Sequence, residues 1–202
     1  MRKWCVGARG DARLARTVAE VPRPPRIQAP GLRYHVTSRG CAKGDIYLSD
    51  FDRLTFESIL ADVIERFEWT CESFTLMTTH YHLQLQTPHA NLAAGMQLLN
   101  GRFGAYFNRR HDSKGHLFFR RYHSEVIRTQ AHHLEVCRYI ALNPVRAGIC
   151  RRPAEWPWST YGETIGCRFP RPFVSSDALL RIFGEDKSLA RARYQSFVEQ
   201  AA

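Results

Sequence analysis

Two runs rich in β-forming residues, Thr70 to Met77 and His80 to Thr87, are separated only by Thr78 and Thr79. A connection that short joins two strands as antiparallel neighbours, because a parallel return needs a dozen or more residues. The hairpin therefore sets the frame into which the rest of the chain must fit. Helical patterns flank it. Ser49 or Asp50 can cap a helix running to about Arg66, with Phe51, Leu54, Ile59, Val63 and Ile64 as its expected apolar face. Asn91 to Asn108 repeats Leu92, Met96, Leu99, Phe103 and Phe107 at helical spacing. Its glycines, Gly95, Gly101 and Gly104, weaken that helix but leave room for close packing.

Further strands and a third helix complete the outline. Leu32 to Ser38 alternates and is rich in β-formers, ending at Arg39-Gly40. Gly115 to Tyr122 reads as a turn and strand, and Glu125 to Arg128 as a continuation of the sheet. A helix from about Gln130 to Asn143 is expected to stop at Pro144. From about Ser175 two short helices follow, one with Leu179, Leu180, Ile182 and Phe183, the other with Leu189, Tyr194, Phe197 and Val198. The fold class is α+β, an antiparallel sheet packed on helices. Residues 1–31 read as a basic, disordered tail, with Pro22, Pro24, Pro25 and Pro30 breaking its second half. The compact domain is expected over residues 32–165, and a helical extension over 166–202.

Charge then narrows the partner. A formal net charge of +10 on 202 residues favours a polyanion, although it says nothing about fold or catalysis. Six cysteines without a Cys-x-x-Cys pair argue against a zinc finger or a disulfide framework. No apolar run is long enough to span a bilayer and the N-terminus lacks the centre of a secretory signal, so a cytoplasmic location is expected.

Two constellations carry chemistry. In a strand, residues two apart share a face, so His80 and His82 would present two imidazoles side by side while Tyr81, Leu83 and Leu85 face a hydrophobic layer. Paired neutral imidazoles suit a divalent metal with further ligands, yet two half-exposed strand histidines give the same pattern. On the third helix, Tyr139 and Asn143 are one turn apart on one face. Asn143 offers a carbonyl oxygen to a hard metal, and Tyr139 offers a phenol able to attack phosphorus. Glu135, one turn earlier, could accept a proton or support the metal. A tyrosine in an amphipathic helix is also ordinary packing, and no spacing rule joins this helix to the strand histidines.

Six segments in one order supply the link. They are Tyr34-His35-Val36-Thr37-Ser38-Arg39-Gly40; Leu76-Met77-Thr78-Thr79-His80-Tyr81-His82-Leu83; Phe107-Asn108-Arg109-Arg110; Gly115-His116-Leu117-Phe118 with Arg121-Tyr122; Arg138-Tyr139-Ile140-Ala141-Leu142-Asn143-Pro144-Val145-Arg146-Ala147-Gly148; and Trp156-Pro157-Trp158-Ser159-Thr160-Tyr161. Together they resemble the single-tyrosine transposases of the HUH class, in particular the REP-associated tyrosine transposases. The sequence departs from that pattern at Thr78-Thr79, where relatives carry Pro-Asn, and at Tyr81, where an aliphatic residue is commoner.

The resemblance implies a ferredoxin-like sheet with the histidines on a central strand and the tyrosine on a helix alongside. It implies His80, His82 and Asn143 as ligands of a divalent metal, Mg²⁺ or Mn²⁺, and Tyr139 as a nucleophile that forms a 5′-phosphotyrosine with single-stranded or hairpin DNA. It also implies a homodimer, the assembly typical of such proteins. Arg39, Arg120, Arg121 and Arg146 lie in or beside the matching segments and are DNA-contact candidates; Arg102, Arg109 and Arg110 lie on or after the second helix. Trp156 and Trp158 are expected to cover the core, His132 and His133 to be exposed, and His35 and His116 are left without a role. Two other readings stay open: a domesticated binder of structured DNA, and a hydrolase that uses a metal-bound water.

Overall fold

The structure, a computed structural model, describes residues 27–200. The expected tail, residues 1–26 of it, and Cys5 therefore lie outside the described residues. Four strands, β1 (Arg33–Arg39), β2 (Thr70–Leu76), β3 (His80–Gln86) and β4 (His123–Ile127), form one sheet in the order β2-β3-β1-β4. All three pairings are antiparallel. With α1 (Asp50–Phe67) between β1 and β2 and α2 (Leu92–Arg110) between β3 and β4, this is the split βαβ arrangement of a ferredoxin-like fold.

Strand alternation gives the sheet two unlike faces. Tyr34, Val36, Phe74, Leu76, Tyr81, Leu83 and Leu85 are fully buried on one face and pack with Phe56, Leu60 and Val63 of α1 and Leu99, Phe103 and Phe107 of α2. Ser49 caps α1 by accepting the Asp52 N–H, and the Asp52 carboxylate accepts the Ser49 N–H in return. Gly95 lets α2 approach closely: a Cβ there would lie 2.2 Å from the Trp69 ring. Gln28 helps start α2, its Oε1 accepting the Ala93 N–H at 2.8 Å.

The expected apolar face of α1 needs correction. Phe51 and Leu54 are each 54% exposed, and the first inward turn is taken instead by Asp52 and Arg53. Asp52 can be buried because Ser49, Tyr106 and His111 all bond its carboxylate. The Arg110 guanidinium lies 4.6 Å from the Phe51 ring centroid.

The other face is covered by α3 (Gln130–Arg146), which does not stop at Pro144. Proline removes a single helical hydrogen bond, and this late in the helix the last turn still closes through Ala147 N–H to Asn143 O and Ile149 N–H to Pro144 O. Residues 115–122 do not make the expected strand. They meet β1 only at its end, through a bridge between Gly40 and Phe118 and a bond from Phe119 N–H to Arg39 O.

The outer edge of β2 is closed by the chain around 158–175, which bonds Leu76 and Phe74 through Trp158 and Thr160 and Cys71 through Ser175. Arg171 holds this strap, pairing with Glu57 of α1 at 2.8 Å and with Glu163. Trp156 and Trp158 flank the Arg53 guanidinium at 5.5 and 5.6 Å, the latter ring packing on the core. After α4 (Tyr161–Thr164), α5 (Asp177–Arg181) and α6 (Lys187–Glu199) pack Leu179, Leu180, Ala190, Tyr194 and Val198 onto Cys137, Ala141 and Leu142 of α3. Leu189 of α6 is exposed, and its neighbour Ala190 is buried. No described helix is long and apolar enough to cross a membrane.

Candidate active site

The face under α3 is polar because the residues that alternate with the core on β1 and β3 are polar. Register sets Arg39 opposite His80, Thr37 opposite His82 and His35 opposite Gln84. His80 and His82 thus share one face, with ring centroids 5.0 Å apart. Tyr81 points the other way, fully buried, and its hydroxyl donates to Asn100 Oδ1 at 2.6 Å. Its ring therefore lies on the sheet face opposite the two histidines.

Each histidine has one ring nitrogen already engaged. His80 Nδ1 lies 3.1 Å from Thr79 Oγ1, and His82 Nδ1 lies 3.0 Å from His35 Nε2. The Asn143 amide, descending from α3, approaches His82 Nε2 to 3.3 Å. A ligating histidine is normally fixed in this way, with its second nitrogen bonded so that the tautomer and ring plane are set. Burial strips these rings of water and keeps them neutral. It lowers the His82 pKa to about 2, helped by the neighbouring His35 and His80. The same cause lowers His35 to about 4. His80 is also shifted down, by burial and then by the Arg39 charge, against a hydrogen bond from Asn143.

Tyr139 stands over this group from one turn before Asn143. Its ring is edge-on to His82 at 5.2 Å and to His35 at 5.9 Å, and the Arg146 guanidinium is 5.5 Å from its centroid. Tyr139 is 38% exposed, whereas His82 beneath it is buried. Glu135 is displaced outward and pairs with Arg138. His35 stands in the first matching segment but was left without a role; the available signal was its position on the alternating strand beside the His-x-His strand.

A second polar cluster anchors the start of α3. The register slips between Cys71 and Ser73, so Glu72 is the extra residue of a β-bulge, a device that re-aims a side chain. Its fully buried carboxylate pairs with Arg33 of β1 at 2.8 Å, with Gln84 of β3 at 2.6 Å and with His133 of α3 at 3.0 Å. Cys137 adds a bond to Gln84 at 2.9 Å. Burial alone would raise the Glu72 pKa, but the hydrogen bonds from His133 and Arg33 outweigh it and hold the carboxylate below its usual range. His133, expected on the surface, is therefore buried, whereas His132 stays near Glu125 at the helix start.

The remaining candidates divide by surface. Arg39, Arg120, Arg121 and Arg146 are exposed. Arg102 and Arg110 pair with Asp62 and Asp52 on the α1–α2 side. Among the described residues no group of three or more His, Cys, Asp or Glu side chains is placed to hold a metal.

The family profile for IS200-like transposases matches residues 28–143, more than half of the chain. Among solved structures, a REP-associated tyrosine transposase bound to a REP hairpin aligns with a TM-score of 0.61 at 15% identity, covering 75% of this chain and 89% of that one. A candidate transposase from Deinococcus radiodurans R1 aligns with a TM-score of 0.42 at 16% identity, covering 58% and 95% of the two chains. No curated protein is similar enough in sequence to match.

Proposed function

The chain belongs to the IS200-like transposases, and from that premise we propose that it cuts and rejoins single-stranded DNA at a hairpin or repeat, with Tyr139 as covalent nucleophile. The observation that carries this reading is the exposed Tyr139 phenol set 5.2 Å, ring to ring, from the buried His82 of the histidine pair.

The donor set suits a divalent metal. His80 and His82 have their Nδ1 atoms occupied, and Asn143 meets His82 at Nε2. Turned over, the Asn143 amide presents Oδ1, so that two neutral imidazole nitrogens and one amide oxygen would hold Mg²⁺ or Mn²⁺ with positions left for substrate. When bound, such a cation supplies Lewis-acid polarisation of a phosphodiester.

The protein's own groups do the rest. Arg146 beside Tyr139 and Arg39 opposite His80 bring positive charge to where a bound phosphate would lie, and Arg120 and Arg121 extend it. The Tyr139 oxygen attacks phosphorus and loses its proton. The bond from phosphorus to the 3′-oxygen breaks, and that oxygen takes a proton to leave as a 3′-hydroxyl. The product is a 5′-phosphotyrosine on Tyr139. Attack by a different 3′-hydroxyl reverses the step, joins a new strand and frees the phenol, so no nucleotide cofactor is consumed. His35 sets the tautomer of His82 throughout.

The test uses labelled single-stranded hairpins from repeats flanking the gene, incubated with the protein and Mg²⁺ or Mn²⁺. On a denaturing protein gel, a DNA-linked band should form with the native protein and vanish in Tyr139→Phe. Tight binding with no cleavage would favour the domesticated binder. Cleavage that survives Tyr139→Phe would point to a metal-bound water and sink the mechanism.

A further inference from the structure

A cavity of about 800 Å³ lies away from Tyr139, between α2 and the segment 115–122. Its floor is the side of α2 that carries Gly101, Gly104 and Ala105, and its far wall is Phe118, Phe119, Arg120 and Arg121. A Cβ on Gly101 would meet nothing within 4 Å, so this floor is open. Phe119 is 57% exposed, and the Arg120 guanidinium lies 4.8 Å from its ring centroid. Among the described residues no carboxylate lines the cavity, and neither Arg120 nor Arg121 makes an ion pair. The cavity thus presents a half-exposed aromatic ring beside two exposed arginines that make no ion pair among the described residues.

The cavity also connects with the candidate active site. Phe119 N–H donates to Arg39 O at 3.0 Å, and Arg39 is the residue in register with His80. Arg39, Phe119, Arg120 and Arg121 therefore form a continuous basic and aromatic path from the histidine strand around the sheet edge to the α2 groove.

We propose that this groove binds unpaired nucleotides of the DNA strand that leaves the active site, with a base stacked on Phe119 and phosphates met by Arg120 and Arg121. The proposal rests on the reading of the chain as a single-strand DNA enzyme. Charge chooses the occupant: an apolar floor with a purely basic rim fits flat bases on an anionic backbone, whereas a protein helix would need acidic groups to match the rim. Stacking does not read sequence, so the groove holds a strand without specifying it. Gly101 and Gly104 matter because side chains there would fill the space a base needs.

The experiment uses the full chain as Tyr139→Phe, so that DNA stays intact, and a hairpin carrying a ten-thymidine tail with 2-aminopurine placed at each tail position in turn. One or more positions should be quenched on binding, and Phe119→Ala should abolish that quenching and weaken tail-dependent affinity about tenfold, consistent with the loss of one stacked base. Phe119→Trp should restore both. Arg121→Gln should lower the slope of log affinity against log salt by about 0.7, the value for one phosphate contact on a single strand. Gly101→Leu should plug the groove, weakening tail binding while leaving the thermal melt unchanged or raised, since leucine favours helix over glycine.

Unchanged tail affinity and quenching in both Phe119→Ala and Gly101→Leu would overturn the proposal. So would a change of oligomeric state in these variants without a change in DNA affinity, which would make the groove a protein interface. The catalytic reading fails separately, if the native chain gives no phosphotyrosine while the groove still binds the tail.

Discussion

The two faces of the sheet are made from the same strands and differ in almost every physical respect. On the α1–α2 face, alternate residues of β1, β2 and β3 are mostly aromatic or aliphatic, and the few polar groups among them are satisfied, Ser38 and the Tyr81 hydroxyl by Asn100 and the Tyr34 hydroxyl by the Ala29 N–H. On the α3 face, the intervening residues are His35, His80, His82, Gln84, Ser73 and Thr75, held by hydrogen bonds to one another and to the helix. The first face gains stability by removing hydrocarbon from water; the second buries a smaller apolar cluster of Ile127, Val136 and Ile140 and adds a polar network that fixes geometry. A period of two lets one strand serve both purposes, because burying Leu83 and Leu85 fixes the direction of His82 and Gln84. The chemistry is thus aimed by the core, and the helix that brings Tyr139 is docked by apolar contacts together with the buried Glu72–His133 pair.

The sharpest way to break this division is to damage each face and compare. Phe103→Ala on the apolar face should cost about 3–5 kcal/mol of stability, read from the urea midpoint, while folded molecules keep their DNA cleavage rate. Glu72→Ala on the polar face should cost about 3 kcal/mol or more, because it strands Arg33 and His133 beneath α3. It should also slow single-turnover cleavage without changing DNA affinity, since the cluster docks the helix that carries Tyr139. A loss under 1 kcal/mol would mean that α3 is held by its contacts with α5 and α6 instead.

A smaller effect is expected at His35. His35→Ala should weaken Mn²⁺ binding about 10- to 100-fold, measured by calorimetry, because His82 loses the partner that fixes its tautomer. His35→Gln, which can still offer an acceptor, should recover part of it. Smallest per step is the pH response. His35 and His82 are held neutral with folded pKa values of about 4 and about 2, below the ordinary 6.5, so the unfolded chain binds more protons as pH falls. Stability should be intact above pH 6.5 and fall below it, by up to about 1.4 kcal/mol per pH unit for each ring. A flat stability profile between pH 6.5 and 4 would contradict the burial of these rings.

Much of the frame was legible because it depends on local periodicity. The two-residue Thr78-Thr79 link, the alternation through His80 and His82, and the Leu92 to Phe107 spacing each determine one feature by themselves. What was not legible depended on partners distant in sequence. Phe51 and Leu54 read as core because hydrophobicity alone cannot show that Asp52 would be buried and satisfied by Tyr106 and His111. His133 read as surface because its partner, Glu72, is aimed at it by a bulge that leaves no mark in the pattern. Pro144 read as a stop because the closing bonds of the last turn involve residues after it. His35 drew no role because its importance lies in one bond to a strand 47 residues away.

The most direct test of the central claim is to locate the covalent bond. After reaction with a cleavable hairpin, trypsin should release the peptide Tyr139 to Arg146, and tandem mass spectrometry should find a nucleotide attached to its tyrosine. A nucleotide on Tyr81, or cleaved DNA with no adduct on any peptide, would contradict the account.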